Sequence, residues 1–170
     1  MNEGYEKKRY NLLYYKKTLA IIEDKKKLSC NSLIDIGGWK GSFVERIKIP
    51  DRTILDLHKM KQKDDNIKRI STNFLTYKTD IRYDIVTCLQ VLEHIDDKYV
   101  GLFTKKLFEM AKRYVIISVP YKWKKGACKW HLQDPVDEKK LFNWTSKIPD
   151  NQYIITEKNG IQRLIAVYNL

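Results

Sequence analysis

The chain has 170 residues, 43% of them hydrophobic and 12% aromatic, with 33 Lys and Arg against 21 Asp and Glu for a formal charge of +12. That length and apolar content fit one globular domain (1–170) with a sizeable core and exclude a disordered chain. No apolar run approaches the roughly 18 residues that a membrane span needs. No charged-then-apolar leader opens the chain and the three cysteines (Cys30, Cys88, Cys128) are scattered, so a cytoplasmic protein is expected. The positive charge suits a nucleic acid or other polyanion. It also suits an anionic small substrate, because the lysines are spread along the chain, with local knots at Lys7–Arg9, Lys25–Lys27 and Lys122–Lys129.

Tyr5 to about Lys27 has helical spacing in Tyr5, Leu12, Tyr15, Leu19 and Ile22, which predicts an N-terminal helix within residues 1–28. Packed on the sheet edge, it would also bring Arg9, Tyr14 or Tyr15 within reach of a ligand. Ser32–Ile36 is a short apolar run compatible with a buried parallel strand. It leads into Gly37–Gly38–Trp39–Lys40–Gly41, where three glycines in five residues permit a sharp turn and close approach to a ligand. Ser42 is placed to cap a helix over Phe43 to Ile47. Strands follow at Arg52–Leu57, Ile67–Ser71, Tyr83–Leu89 and Tyr114–Val119. An amphipathic helix from Asp96–Asp97 through Ala111 turns Val100, Phe103, Leu107 and Met110 inward.

Residues 120–150 form a candidate substrate region. Tyr121 to Pro135 lacks a regular period and predicts a long loop with Tyr121, Trp123, Trp130, His131 and Asp134, before a short helix over Glu138–Phe142. Tyr153–Glu157 and Ile161–Tyr168 predict a terminal hairpin with a type I′ turn at Asn159–Gly160. The fold class is therefore α/β: Rossmann-like, doubly wound, mainly parallel, with an antiparallel C-terminal hairpin.

Asp56 ends the second strand 21 positions after Asp35, where a carboxylate can accept from both hydroxyls of a ribose. A dinucleotide fingerprint needs glycines at the first, third and sixth positions of the turn, and these hold Gly37, Trp39 and Ser42. A Walker phosphate loop is excluded, since no Gly-Lys-Ser/Thr occurs. Cys128-x-x-His131 is a single pair without a partner pair, so no metal is expected.

The sequence resembles class I S-adenosylmethionine-dependent methyltransferases of the small-molecule type. Asp35–Ile36–Gly37–Gly38–Trp39–Lys40–Gly41 is similar to the family's Asp-x-Gly-x-Gly-x-Gly loop, with Trp39 at the middle glycine. Thr72–Asn73–Phe74 resembles its adenine-holding stretch, with Asn73 for the common Asp. Tyr83 through Ile95, which contains Leu92–Glu93–His94, is the most family-like stretch. The likeness covers roughly Asn31 to Leu170.

The resemblance implies S-adenosylmethionine as cofactor, held by Asp35, Gly37, Gly38, Trp39, Gly41, Asp56, Leu57, Asn73, Phe74, Leu89 and Gln90. In the loop after the fifth strand, where a substrate would lie above the methyl group, Tyr121, Trp130 and Asp134 are candidate acceptor contacts and His131 a candidate base or substrate ligand. His94 is the second catalytic candidate, although Glu93–His94 is more often architectural in the family; His58 is a solvated neighbour of Asp56. The family's Asn/Asp-Pro-Pro-Tyr/Phe tetrad for methylating base amino groups is replaced by Leu89–Gln90–Val91–Leu92. The expected reaction is O-methylation of a small polar acceptor such as a sugar or surface-glycan precursor. An RNA methyltransferase and a non-catalytic binding protein of the same fold stay open. So does a homodimer in which a second subunit completes the site.

Overall fold

A computed structural model describes residues 11–39, 41–63 and 66–170. Among them, no helix is long and apolar enough to cross a membrane. Tyr5 and Arg9, assigned above to the first helix, lie outside the described residues.

Among the described residues, seven strands form one sheet: β1 (Ser32–Ile36), β2 (Asp51–Asp56), β3 (Ile67–Ser71), β4 (Tyr83–Leu89), β5 (Ala111–Pro120), β6 (Asn151–Thr156) and β7 (Gln162–Asn169). Their order is β3-β2-β1-β4-β5-β7-β6. The first five are parallel, and β7 enters antiparallel between β5 and β6. The order reverses between β1 and β4, which opens a crevice at their carboxyl ends.

Burial on both faces explains the continuous apolar runs of the central strands. Ile34 and Ile36 of β1 point into one core cluster and Leu33 into the other. The first cluster is covered by α2 (Asp97–Met110) and α3 (Glu138–Thr145), through Val100, Phe103, Leu107, Leu141 and Trp144. The second is covered by α1 (Leu13–Lys26), through Tyr14, Tyr15, Ile21 and Ile22. The Glu157 carboxylate, at the end of the hairpin, accepts from Leu13 N–H (2.8 Å) and Tyr14 N–H (3.2 Å) and so caps α1 from outside the helix. Asp96 caps α2 and Asp137 caps α3 through their side chains.

Two local expectations are corrected. The helix expected over residues 43–47 is one 3-10 turn, Val44–Arg46, with no side-chain cap from Ser42. Its chain must be extended again by Ile47 to reach Pro50 and β2, which leaves no room for a second turn. The hairpin turn is not type I′, because only Gly160 (φ +79°) adopts positive φ. Asn159 instead uses its side chain to accept from Ile161 N–H at 3.2 Å.

Candidate active site

A cavity of about 790 Å³ opens at the carboxyl ends of β1, β2 and β4. Its walls come from Ile36, Gly37, Gly38 and Trp39 after β1, Asp56, Leu57 and His58 after β2, and Thr72, Asn73 and Phe74 after β3. Leu89, Gln90 and Val91 follow β4, while Tyr15, His94, Ile95, Asp96, Tyr99 and Trp130 close the remaining sides. The volume lies in the roughly 300–1,000 Å³ range of small-molecule sites.

The turn after β1 is shaped by three left-handed residues, Gly37 (φ +75°), Trp39 (φ +48°) and Gly41 (φ +85°). A Cβ at Gly37 would lie 2.4 Å from Val91 Cγ2, and one at Gly41 2.4 Å from Ile54 Cδ1. Both positions therefore need glycine for conformation and for space. Trp39 adopts a glycine-like backbone at a cost of about 1–2 kcal/mol. It is held there by its N–H donating to Asp56 Oδ2 (2.8 Å) and by edge-on contact of its indole with the His58 ring, centroids 4.3 Å apart. The indole forms part of the wall and leaves the hollow open.

Asp56 is buried at the mouth of β2. Besides the Trp39 bond, its Oδ1 accepts from His58 N–H (2.8 Å) and meets His58 Nδ1 at 2.8 Å. A carboxylate has about four acceptor positions, so these three contacts leave one on Oδ2. Gripping two hydroxyls requires the His58 ring to leave, which its 64% exposed side chain permits. His58 is thus more than a solvated neighbour. Asn73 Oδ1 accepts from Leu75 N–H at 2.9 Å, a local turn that fixes the side chain at the cavity edge.

Not every candidate reaches the cavity. Asp35 is buried behind the turn, with Oδ1 accepting from the Thr87 hydroxyl at 2.6 Å and Oδ2 lying under Gly38. Gly41 packs on Ile54 and Arg69. These two shape the cradle from beneath instead of lining it. Tyr121 is buried in the first core cluster, its hydroxyl donating to Glu138 Oε1 at 2.8 Å, so it does not face an acceptor. Trp123 anchors the loop: its indole N–H donates to the Gln162 carbonyl (2.9 Å) and its ring stacks on His131 at 5.3 Å.

His94 and His131, 37 positions apart, come together with ring centroids 4.9 Å apart. The junction is backbone-built, because Leu132 N–H (2.8 Å) and Gln133 N–H (3.2 Å) both donate to the Glu93 carbonyl. Gln133 adds a side-chain bond to the Ile95 carbonyl at 2.9 Å. His94 Nδ1 meets the Trp130 carbonyl at 2.9 Å, and His131 Nδ1 meets Asp134 Oδ2 at 2.7 Å. Partial burial pushes the His94 imidazole below its usual pKa, with the Trp130 carbonyl partly opposing this and His131 adding to it. His94 lines the cavity, and His131 stands behind it among the described residues.

The whole architecture superposes on a group of solved structures. The fold is that of S-adenosylmethionine-dependent methyltransferases. One such enzyme from Clostridium acetobutylicum ATCC 824 superposes with a TM-score of 0.70 at 10% identity, covering 92% of each chain. The 1,6-didemethyltoxoflavin-N1-methyltransferase of Burkholderia thailandensis, solved with that compound and S-adenosylhomocysteine, gives 0.69 at 14% identity over 94% of this chain and 79% of its own. The N-methyltransferase NodS of Bradyrhizobium japonicum WM9 gives 0.69 at 14% identity over 91% and 94%, and has also been solved with S-adenosylhomocysteine. No protein-family model matches the sequence, and no curated protein matches it. At these identities the methyltransferase fold is what the chain shares with its neighbours.

Proposed function

We propose that the protein is an S-adenosylmethionine-dependent methyltransferase that methylates an oxygen of a small polar acceptor, such as a sugar or a glycan precursor. The observation that carries this reading is the meeting of the Gly37–Gly41 turn and the Asp56 carboxylate on one cavity, at the ends of two adjacent parallel strands. The residues suit a sulfonium nucleoside: a closely approachable backbone for its amino-acid end, one carboxylate for the sugar, and Leu57, Asn73 and Phe74 around the base. The nucleosides bound by the structural neighbours support the same cofactor. When bound, S-adenosylmethionine supplies a methyl group already activated on sulfur.

The protein's remaining task is placement. A nucleophile must be held in line with the transferred group, and an oxygen of high pKa gains from losing its proton. His94 follows β4, two strands along the sheet from the β2 that ends in Asp56, and with Trp130 it forms the acceptor wall in this reading. A second reading, an RNA acceptor, is supported by the exposed Lys59, Lys61 and Lys63 beside the turn, of which Lys63 pairs with Glu45; binding that weakens steeply with salt would favour it.

Calorimetry with S-adenosylhomocysteine tests the cofactor site, and a methyl-release assay against sugar and RNA acceptors tests turnover. Asp56→Ala is expected to weaken the nucleoside by about 1.5–3 kcal/mol, the cost of losing hydrogen bonds to a charged group. Unchanged affinity removes Asp56 from the site.

A further inference from the structure

Glu93, His94 and His131 offer ligand atoms that all lie within 4.8 Å of one another at the acceptor end of the cavity. Glu93 Oε1 stands 4.0 Å from His94 Nε2, and the Glu93 side chain is 1% exposed. The two rings are oriented by what holds their other nitrogens. A backbone carbonyl can only accept, so His94 Nδ1 must carry the proton that it donates to Trp130. The Asp134 carboxylate, itself buried, fixes the same tautomer in His131. In the neutral rings both Nε2 atoms therefore present lone pairs, and a carboxylate completes a group of three electron-pair donors. Imidazoles whose second N–H is donated to a carbonyl or a carboxylate are the common second layer of a metal centre.

The geometry points to a binding site for one divalent first-row transition cation on Glu93, His94 Nε2 and His131 Nε2. Two imidazoles and one carboxylate form a ligand set for Zn²⁺ or Fe²⁺ that leaves positions open for substrate. Donors on a tetrahedral ion with bonds of about 2.1 Å lie about 3.4 Å apart, so the three side chains need to close by roughly 1 Å. The frame for that closure is already fixed by the two backbone bonds from Leu132 and Gln133 to the Glu93 carbonyl.

The role of this ion in catalysis rests on the methyltransferase reading; its binding does not. An open coordination position beside the cavity takes an acceptor hydroxyl. Coordination lowers the hydroxyl's pKa, the proton passes to a solvent water, and the oxygen keeps the electron pair as the nucleophile. The preferred acceptor is then one with a hydroxyl and a neighbouring oxygen that chelate together, as vicinal diols of sugars do. The histidine pair acts as ligand in this arrangement, and no histidine is needed as base.

The test uses the full chain, stripped of metal with a chelator and dialysed against Mn²⁺ or Zn²⁺, with bound metal measured by elemental analysis and Mn²⁺ also by loss of its free electron-spin signal. One ion per chain is expected, and His94→Ala and His131→Ala should each weaken it at least tenfold. Asp134→Asn removes the charge that holds the His131 tautomer and should weaken the ion roughly 10- to 100-fold. Because the His131 and Asp134 side chains are buried, melting curves accompany all variants, and the partly exposed His94 carries the result if a buried variant fails to fold. Only trace metal in the native chain, or equal binding by the His94 and His131 variants, overturns the site. S-adenosylhomocysteine calorimetry on the same stripped protein separates the two readings. Nucleoside binding without metal binding sinks the ion alone, and metal binding without nucleoside binding sinks the catalytic role and the methyltransferase reading together.

Discussion

The two ends of the cavity are built in opposite ways. The end after β1 and β2 is made by backbone: left-handed residues, a strand mouth and one carboxylate, all within residues 36–58. The acceptor end is made by side chains from Glu93–His94 and from Trp130–Asp134, two distant segments brought together by tertiary hydrogen bonds and the contact of two imidazole rings. Backbone chemistry leaves a local signature in sequence, because at Gly37 and Gly41 only glycine meets both the φ and the contact distance. Side chains that meet from distant segments leave none until the fold is known. The first end should therefore be brittle to small changes and the second adaptable.

Gly37→Ala breaks the comparison most severely if it is wrong. The substitution combines a left-handed backbone, costing about 1–2 kcal/mol for a residue with a Cβ, with an overlap at 2.4 Å from Val91 Cγ2. Overpacking of this kind costs about 1–3 kcal/mol, so a total loss of about 2–5 kcal/mol is expected in thermal or denaturant unfolding, with nucleoside binding lost alongside. Adding Val91→Ala removes the overlap but not the φ cost and should restore part of the stability. Wild-type stability in Gly37→Ala alone would show that the turn is not built by backbone constraint.

How far the sequence could be read follows the same division. β3 and β4 were legible to the residue, because alternating or continuous burial on a sheet imprints itself on every position. The glycine turn and Asp56 were legible for the same local reason. Ser42 and Asn159 misled, since each has a capping or turn preference that longer-range demands overrode: the stretch to β2 in one case, a side-chain bond to Ile161 in the other. Asp35 and Tyr121 lie in segments next to the cavity but face away from it, one held by Thr87 and the other by Glu138. In sequence Glu93 reads as architecture. The signal that singles it out is its position beside two histidine rings, one of them 38 residues further on, and that is a property of the folded chain.

A second test asks whether the far end of the strands is independent of the cavity. Asp84 Oδ2 accepts from Asn31 N–H, Ser32 N–H and the Ser32 hydroxyl at 2.8–3.0 Å, tying the start of β4 to the start of β1. Burial alone would raise its pKa, but the bonds from Asn31 and Ser32 outweigh this and hold the carboxyl below the usual value. A depressed carboxylate stabilises the fold fully above its unfolded pKa of about 3.9, and that stability fades as pH falls through the folded value. Asp84→Asn should therefore cost about 1–2 kcal/mol near pH 7 and show a shallower loss of stability below pH 4. Nucleoside affinity should not change; if it falls, the two ends of the sheet are coupled.

The smallest effect is the most diagnostic for the backbone-built end. The His58 ring meets Asp56 Oδ1, a position that a diol spanning both oxygens needs. His58→Ala removes a competitor and one exposed hydrogen bond but keeps the His58 N–H bond, which comes from the backbone. The ring is largely exposed, so stability should move by less than about 0.5 kcal/mol. Affinity for S-adenosylhomocysteine should rise slightly, by about 0.5–1 kcal/mol, the net value of a hydrogen bond that no longer has to be exchanged. A fall in affinity would mean that the imidazole itself contacts the nucleoside. Asp56 would then act as the group that orients His58, and the sugar-binding role would pass from the carboxylate to the ring.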